Sequence, residues 1–264
     1  MRIDLSSHRA AVSGSTVGIG FAIALGLARA GAAVVLNGRG ETKTTEAVAR
    51  LRSVVPGARV TGVAADLGTA AGVEHFVAAA GDADILVNNV GIFAPKPFGE
   101  IPDADWQRFF EVNVMSGVRL SRHYLPKMLA ANWGRIIFIS SESALNIPAE
   151  MIHYGMTKTA QLAIARGLAE LTAGTAVTVN AVLPGPTRSE GVADFVAALA
   201  KGQGTSEAEF ERRFFAEIRP SSLLKRFATV EEVANMVVYV ASEEASATNG
   251  AALRVDGGVV RSIA

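Results

Sequence analysis

Short apolar runs alternate with longer segments of helical periodicity from one end of this chain to the other, and that rhythm limits what it can fold into. The runs at Ala10–Ser13, Ala33–Asn37, Arg59–Ala65, Ile85–Asn88, Arg135–Ser140, Ala176–Val182 and Ala252–Val255 are mostly Val, Ile, Leu and Ala, several of them nearly unbroken. A strand with one wet face alternates apolar and polar residues, whereas a strand of a parallel sheet is covered on both faces and has no reason to alternate. Helical patterns lie between the runs at Gly18–Ala30, Glu41–Ser53, Asp103–Ala131, Ile152–Leu171 and Val230–Ala241, the last opened by Thr229 and Glu232 at capping-box spacing. The expected fold is therefore α/β, one doubly wound domain over residues 1–264, with a parallel seven-stranded sheet and helices on both faces. Residues 188–226 break the rhythm with helix-like pieces around Gly202-Gln203-Gly204-Thr205, and an insertion this late is expected to be a lid or substrate wall.

Composition narrows the function classes. With 50% hydrophobic and 19% charged residues the 264-residue chain can bury a large core, and 25 Lys and Arg balance 25 Asp and Glu. That balance removes the field a nucleic-acid or anionic-membrane partner would need. The absence of cysteine excludes disulfides, thiolate metal sites and cysteine nucleophiles together. His8, His75, His123 and His153 show no ligand spacing with carboxylates, so no catalytic metal is expected. The polar start, with Arg2, Asp4, His8 and Arg9, lacks the apolar core of a signal peptide, and stretches such as Ala22–Ala33 are too short and interrupted to span a bilayer. A cytoplasmic location is expected.

Two constellations carry chemistry. The first run leads into Ser13-Gly14-Ser15-Thr16-Val17-Gly18-Ile19-Gly20 with a helical pattern directly after it. Glycines at such a junction let the backbone turn tightly and approach a pyrophosphate, which the helix amino terminus attracts. The second is Tyr154 and Lys158, four residues apart and so on one helix face. A fixed ammonium near a phenol favours the phenolate, so Lys158 is expected to lower the Tyr154 pKa and make it a usable proton donor and acceptor. Taken singly, the first also fits a plain strand-to-helix turn and the second a solvated helix face.

In order along almost the whole chain, these residues resemble the short-chain dehydrogenase/reductase family. Further matches are Asn88-Asn89-Val90-Gly91 after the fourth run, Asn113 in the next helix, Ser141 thirteen residues before Tyr154, and Pro184-Gly185 after the sixth run. The resemblance implies a Rossmann-type fold with Tyr154 as general acid and base and Lys158 tuning it and holding the nicotinamide ribose. It also implies that Ser141 steadies the substrate oxygen and that Asn113 sits in the proton relay. Cofactor contacts are implied for Gly14, Ser15, Thr16, Gly18, Ile19 and Gly20, for Asn37 and Arg39, for Asp66 and Leu67, for Asn89 and Gly91, for Tyr154 and Lys158, and for Pro184, Gly185 and Thr187. Two positions depart from the family pattern, Ser13 for its usual Thr and Val90 for its usual Ala. Ser140 and Ser143 compete with Ser141 for the serine role on chemistry but not on spacing, and His153 is read as substrate wall or structural.

Cofactor choice is read at the end of the second run, where a carboxylate would pair with the ribose hydroxyls of NAD and repel the 2′-phosphate of NADP. Gly38 stands there and Arg39 follows, which predicts NADP(H) over NAD(H), the bland alternative being an Arg39 that faces solvent or stacks on adenine. The expected activity is hydride transfer between NADP(H) and a small-molecule carbonyl or secondary alcohol. A 3-oxoacyl thioester is one substrate class; a sugar, polyol or xenobiotic ketone is another. A non-catalytic dinucleotide sensor on the same fold is the competing reading, though degenerate members usually lose the tyrosine or the lysine. The late insertion, with Phe195, Leu199, Phe210, Phe214 and Phe215 among Glu211, Arg212, Arg213 and Lys225, reads equally as an apolar wall, a seat for an anionic tail or a subunit contact. The family also implies a homo-oligomer, tetramer or dimer.

Overall fold

A computed structural model describes residues 3–190 and 205–263. The chain runs through β1 (Arg9–Val12), α1 (Gly18–Arg29), β2 (Ala33–Gly38), α2 (Glu41–Val54), β3 (Val60–Ala64), α3 (Ala70–Ala80) and β4 (Ile85–Asn88). It continues through α4 (Asp103–Phe110), α5 (Ser116–Ala130), β5 (Gly134–Ile139), α6 (Ile152–Glu170), β6 (Val177–Pro184), α7 (Glu207–Arg213), α8 (Val230–Val240) and β7 (Ala252–Val255). The strands form one 7-stranded sheet in the order β3-β2-β1-β4-β5-β6-β7, and every pairing is parallel.

Alternation along each strand divides the core between the two faces. Ala10, Val12, Val34, Leu36, Ile85 and Val87 pack under α1, α2 and α8, while Ala11, Val35, Leu86, Ile136 and Phe138 pack under α3, α5 and α6. Both sets are buried, which accounts for the unbroken apolar runs of the sequence. The order reverses between β1 and β4, and in open sheets of this kind a crevice opens beyond the carboxyl ends of the strands at that point. Ser13, Asn89, Ser140 and Gly185 lie just past the ends of β1, β4, β5 and β6, so the topology alone gathers the sequence motifs at one rim.

Three differences from the sequence expectation have physical reasons. The helix expected over Asp103–Ala131 is interrupted by a π turn at Glu111–Met115, where the Ser116 N–H reaches back five residues to the Glu111 carbonyl. α3 lies outside the expected helices: it is short, holds Gly72 in its first turn and is mostly alanine, which marks no apolar face, and its start is fixed by the Thr69 side chain, which accepts from the Gly72 N–H. β6 runs two residues further than expected, to Pro184, because β7 pairs with it there. The capping box at Thr229 and Glu232 forms in full. No helix among the described residues is long and apolar enough to cross a membrane.

Candidate active site

The glycine turn is built by backbone geometry and held by hydroxyls and amides. Gly14 and Gly18 sit at φ 59° and 60°, in the left-handed region that side chains resist. A Cβ on Gly20 would lie 2.3 Å from the Gly14 carbonyl and 2.5 Å from Asn89 Nδ2, so α1 can press against the turn only through a glycine. The Ser13 hydroxyl donates to the Val87 carbonyl (3.1 Å) and accepts from the N–H groups of Asn89 (2.8 Å) and Val90 (3.1 Å). The hydroxyl is therefore what this position needs, and serine supplies it as threonine would. Val90 fits as well, filling the space beside Gly14 that any Cβ there would invade, at 3.1 Å.

Several residues implied as cofactor contacts serve the frame through their side chains. Asn37 is buried; its Oδ1 accepts from the Gly14 N–H (3.0 Å) and its Nδ2 donates to the carbonyls of Val63 (3.2 Å) and Ala65 (3.1 Å). Ser15 donates to Val12 and accepts from the Asn37 N–H, Asn89 Nδ2 donates to the carbonyls of Ser13 and Gly14, and Leu67 is in the core. Asp66 is exposed and accepts from the Gly68 N–H. Ile19 lines the neighbouring cavity, and Val17 caps α1 without a side-chain hydrogen bond. The first-turn N–H groups of α1 are thus left for a ligand, the arrangement that suits a pyrophosphate. Arg39 is exposed and makes no hydrogen bond or ion pair among the described residues. A Cβ on Gly38 would meet Thr16 Cγ2 at 2.5 Å and Thr44 Oγ1 at 2.6 Å, so no carboxylate side chain fits beside Arg39 without rearrangement. These features fit a nicotinamide dinucleotide.

Beside the turn lies a cavity of about 430 Å3 whose lining includes Ser141, Tyr154, Lys158, Gly91, Pro184 and Thr187. Asn113 is fully buried in the π turn, accepting from the Ile92 N–H (2.7 Å) and donating to the Ile92 carbonyl (2.9 Å) and Thr157 Oγ1 (3.0 Å). Thr157 donates in turn to the Tyr154 carbonyl (2.7 Å). Lys158 Nζ donates to the Ile139 carbonyl (2.9 Å) and more loosely to Gln161 Oε1 (3.3 Å), and Gln161 Nε2 donates to the Asn113 carbonyl (2.6 Å). Asn113, Tyr154 and Lys158 are thus one connected network, and Ser141 faces the same cavity with its Oγ accepting from the Ser143 N–H (3.1 Å). Ser140 turns the other way and donates to the Lys158 carbonyl (2.9 Å), a support for the lysine. His153 is buried against Phe109, with ring centroids 4.1 Å apart, and edge-on to Trp106; it is structural. Thr187 donates to the Gly185 carbonyl, and its backbone bridges to Ala228.

The protonation states differ from the sequence expectation. Burial pushes the Tyr154 phenol up to about 12; the Ser141 hydroxyl pulls it down and the nearby Glu142 carboxylate pushes it further up. The same burial pulls Lys158 down to about 7. The ammonium is 5.6 Å from the phenol ring centroid and directed at a backbone carbonyl, so in this state it does not depress Tyr154. Desolvation, felt by both groups, outweighs the attraction between them.

Described residues of the late insertion line the cavity. α7 and a π turn at Phe214–Ile218 build an aromatic cluster of Phe210, Phe214, Phe215 and Phe227, of which Phe210, Phe214 and Phe227 line the cavity. Phe195, Leu199 and Gly202-Gln203-Gly204 lie outside the described residues. Arg212 and Arg213 pair with Glu209 and Glu217 on the surface, and Lys225 donates to the Pro220 carbonyl. The arginine that does enter the cavity is Arg219, whose partner is the buried Glu142 (Nε to Oε1, 3.1 Å). Sequence reasoning missed Arg219, Glu142 and Gln161. Gln161 lies three residues after Lys158 and could have been found as a same-face polar residue on an otherwise apolar stretch of helix.

A family model described as enoyl-(acyl carrier protein) reductase matches residues 14–260. Over 263 residues, covering both chains in full, the sequence is 49% identical to an uncharacterized oxidoreductase, YvaG, of Bacillus subtilis. It is 34% identical to a D-beta-hydroxybutyrate dehydrogenase of Cupriavidus necator, over 97% of this chain and 99% of that one. Among solved structures, the L-sorbose reductase of Gluconobacter frateurii complexed with NADPH and L-sorbose superposes with a TM-score of 0.93 at 34% identity over 100% of both chains. With the glycine turn, the tyrosine and lysine network and the parallel sheet in the same order, the chain is an oxidoreductase that uses a nicotinamide dinucleotide, and it belongs to the short-chain dehydrogenase/reductase family.

Proposed function

We propose that the protein interconverts a ketone and a secondary alcohol with NADP(H), using Asn113, Ser141, Tyr154 and Lys158. The observation that carries this is the unbroken chain of contacts from Lys158 through Gln161 and Asn113 to Thr157 and the Tyr154 backbone, opening on one cavity beside the glycine turn. When bound, the nicotinamide supplies or accepts the hydride. In the reductive direction negative charge grows on the substrate oxygen, and a phenol whose pKa is raised to about 12 arrives protonated and ready to donate, while the Ser141 hydroxyl offers a second hydrogen bond to the same oxygen. In the oxidative direction Tyr154 must accept a proton, and Lys158, once charged, stabilises the phenolate. The retained tyrosine and lysine favour turnover over a sensing role.

Gly14, Gly18, Ile19 and Gly20 would offer main-chain groups to the pyrophosphate, Asp66 the adenine contact, and Gly91, Pro184, Gly185 and Thr187 the nicotinamide end. NADP(H) is preferred over NAD(H) on this reading because Arg39 has no partner among the described residues and glycine, not a carboxylate, stands beside it at position 38. The reading extends to one domain lidded by the late insertion, acting on a small molecule in the cytoplasm as a homo-oligomer. Exposed Leu171 and Leu223 suit a subunit contact. The test is NADPH oxidation over ketones of graded size and charge, mirrored by NADP+ reduction over alcohols. Turnover with a ketone and a higher kcat/KM for NADPH than for NADH are expected; no turnover in either direction overturns the reaction, and a preference for NADH overturns the cofactor assignment.

A further inference from the structure

The charged residues of the cavity wall say what the substrate carries, given that the protein is the reductase proposed above. Among the described lining residues, four bear charge: Lys158 on the side of the glycine turn, and Glu142, Glu150 and Arg219 together on the other side. Glu142 directly follows Ser141 and its side chain is only 4% exposed. Arg219 Nε donates to Glu142 Oε1 at 3.1 Å, Nη1 donates to the Ile218 carbonyl at 3.1 Å, and Nη1 lies 3.6 Å from Glu150 Oε1. One guanidinium is thus shared by two carboxylates, and the group keeps an excess negative charge. Glu142 Oε2 is buried with no hydrogen-bond partner among the described residues; that burial raises the Glu142 carboxyl above its ordinary value, and the Arg219 guanidinium beside it pulls it back down and favours the carboxylate.

We propose that Glu142, Arg219 and Glu150 select an uncharged, hydroxyl-bearing ketone or alcohol and reject substrates carrying a carboxylate or phosphate near the reacting carbon. An anionic substrate on this side of the cavity would find Arg219 already engaged by two carboxylates, which would repel it, while Lys158 is turned to the Ile139 carbonyl on the other side. A carboxylate only accepts hydrogen bonds, so Glu150, 48% exposed at the wall, favours a substrate group that donates. The Glu142 carboxylate is felt at the reacting centre, since it helps to raise the Tyr154 phenol. Apart from Lys158, these three groups are the charged content of the described lining.

The test uses the intact protein with NADPH and three ketones sharing the skeleton best reduced in the screen: one uncharged with hydroxyl groups, one uncharged without them, and one ending in a carboxylate. Wild type is expected to favour the hydroxylated neutral ketone over the carboxylate by about tenfold or more in kcat/KM, chiefly through KM. Glu142→Gln keeps an amide oxygen for Arg219 but removes the excess charge, and should narrow that gap roughly tenfold; Glu150→Gln, at the half-exposed member, should narrow it by about threefold. Equal or better use of the carboxylate by wild type overturns the proposal, as does an unchanged ratio in Glu150→Gln, a surface-accessible change that leaves folding intact. A hydroxyl-free ketone used as well as the hydroxylated one overturns the donor requirement. Failure to turn over any carbonyl strikes instead at the reductase reading on which the proposal rests.

Discussion

Replacing Gln161 with leucine isolates the network that sequence reasoning did not foresee. Gln161 is 1% exposed, and leucine nearly matches its volume, so the change opens no cavity and acts through two polar contacts. The Asn113 carbonyl, which receives Gln161 Nε2 at 2.6 Å, would be left unpaired inside the π turn, a loss of about 1–3 kcal/mol. The Lys158 contact is long at 3.3 Å and Lys158 keeps the Ile139 carbonyl, so its loss adds about 0.5–1 kcal/mol. The sum, about 1.5–4 kcal/mol, corresponds to a Tm roughly 3–16 °C lower in a domain of this size. Because Asn113 is positioned through that carbonyl, kcat should fall about tenfold while NADPH affinity changes little. Gln161→Glu should recover the lysine contact but not the Asn113 one, and so melt between the two. Scanning calorimetry and steady-state kinetics on the three proteins decide it. A leucine variant with wild-type Tm and wild-type kcat would refute the claim that Gln161 holds the relay in place.

Lys158→Met should abolish turnover yet stabilise the protein at neutral and acidic pH. The folded pKa of about 7 lies below the ordinary 10.5, so the unfolded chain binds the extra proton between those values. Wild-type stability therefore rises as pH climbs from about 7 towards 10 and is lowest below 7, by a few kcal/mol, and the methionine variant should lack this rise in Tm. Gly20→Ala places a Cβ 2.3 Å from the Gly14 carbonyl and should cost at least about tenfold in NADPH affinity by calorimetric titration, with a lowered Tm. Arg39→Ala should weaken NADPH binding by about tenfold or more and leave NADH binding unchanged, as one charge-assisted contact to the 2′-phosphate requires; equal effects on both would remove Arg39 from phosphate recognition.

What the sequence disclosed follows from how local each feature is. The strands were readable because residues such as Leu86, Val87, Ile136 and Ile137 are buried whichever face they point to, and burial writes itself into composition. Gly14, Ser141, Tyr154 and Lys158 were legible through the family resemblance, whose motifs follow strand ends or open a helix, and a parallel sheet brings those ends to one rim. Contacts across long separations left no such mark. Arg219 and Glu142 are 77 residues apart, and nothing near either one announces the other. The π turn at Asn113 depends on Thr157 and Gln161 from a neighbouring helix, so helical periodicity ran straight through it. Spacing shows that a lysine is near Tyr154, but not the desolvation that raises the phenol and lowers the lysine.

The central claim is that Tyr154 exchanges the proton that accompanies hydride transfer. Tyr154→Phe removes only the hydroxyl from a ring packed edge-on against Phe93. NADPH binding, followed by calorimetric titration, should stay near wild type while kcat for ketone reduction falls by roughly a hundredfold to ten-thousandfold, the range of a lost general acid. A variant that binds NADPH and reduces the ketone at the wild-type rate would contradict the account.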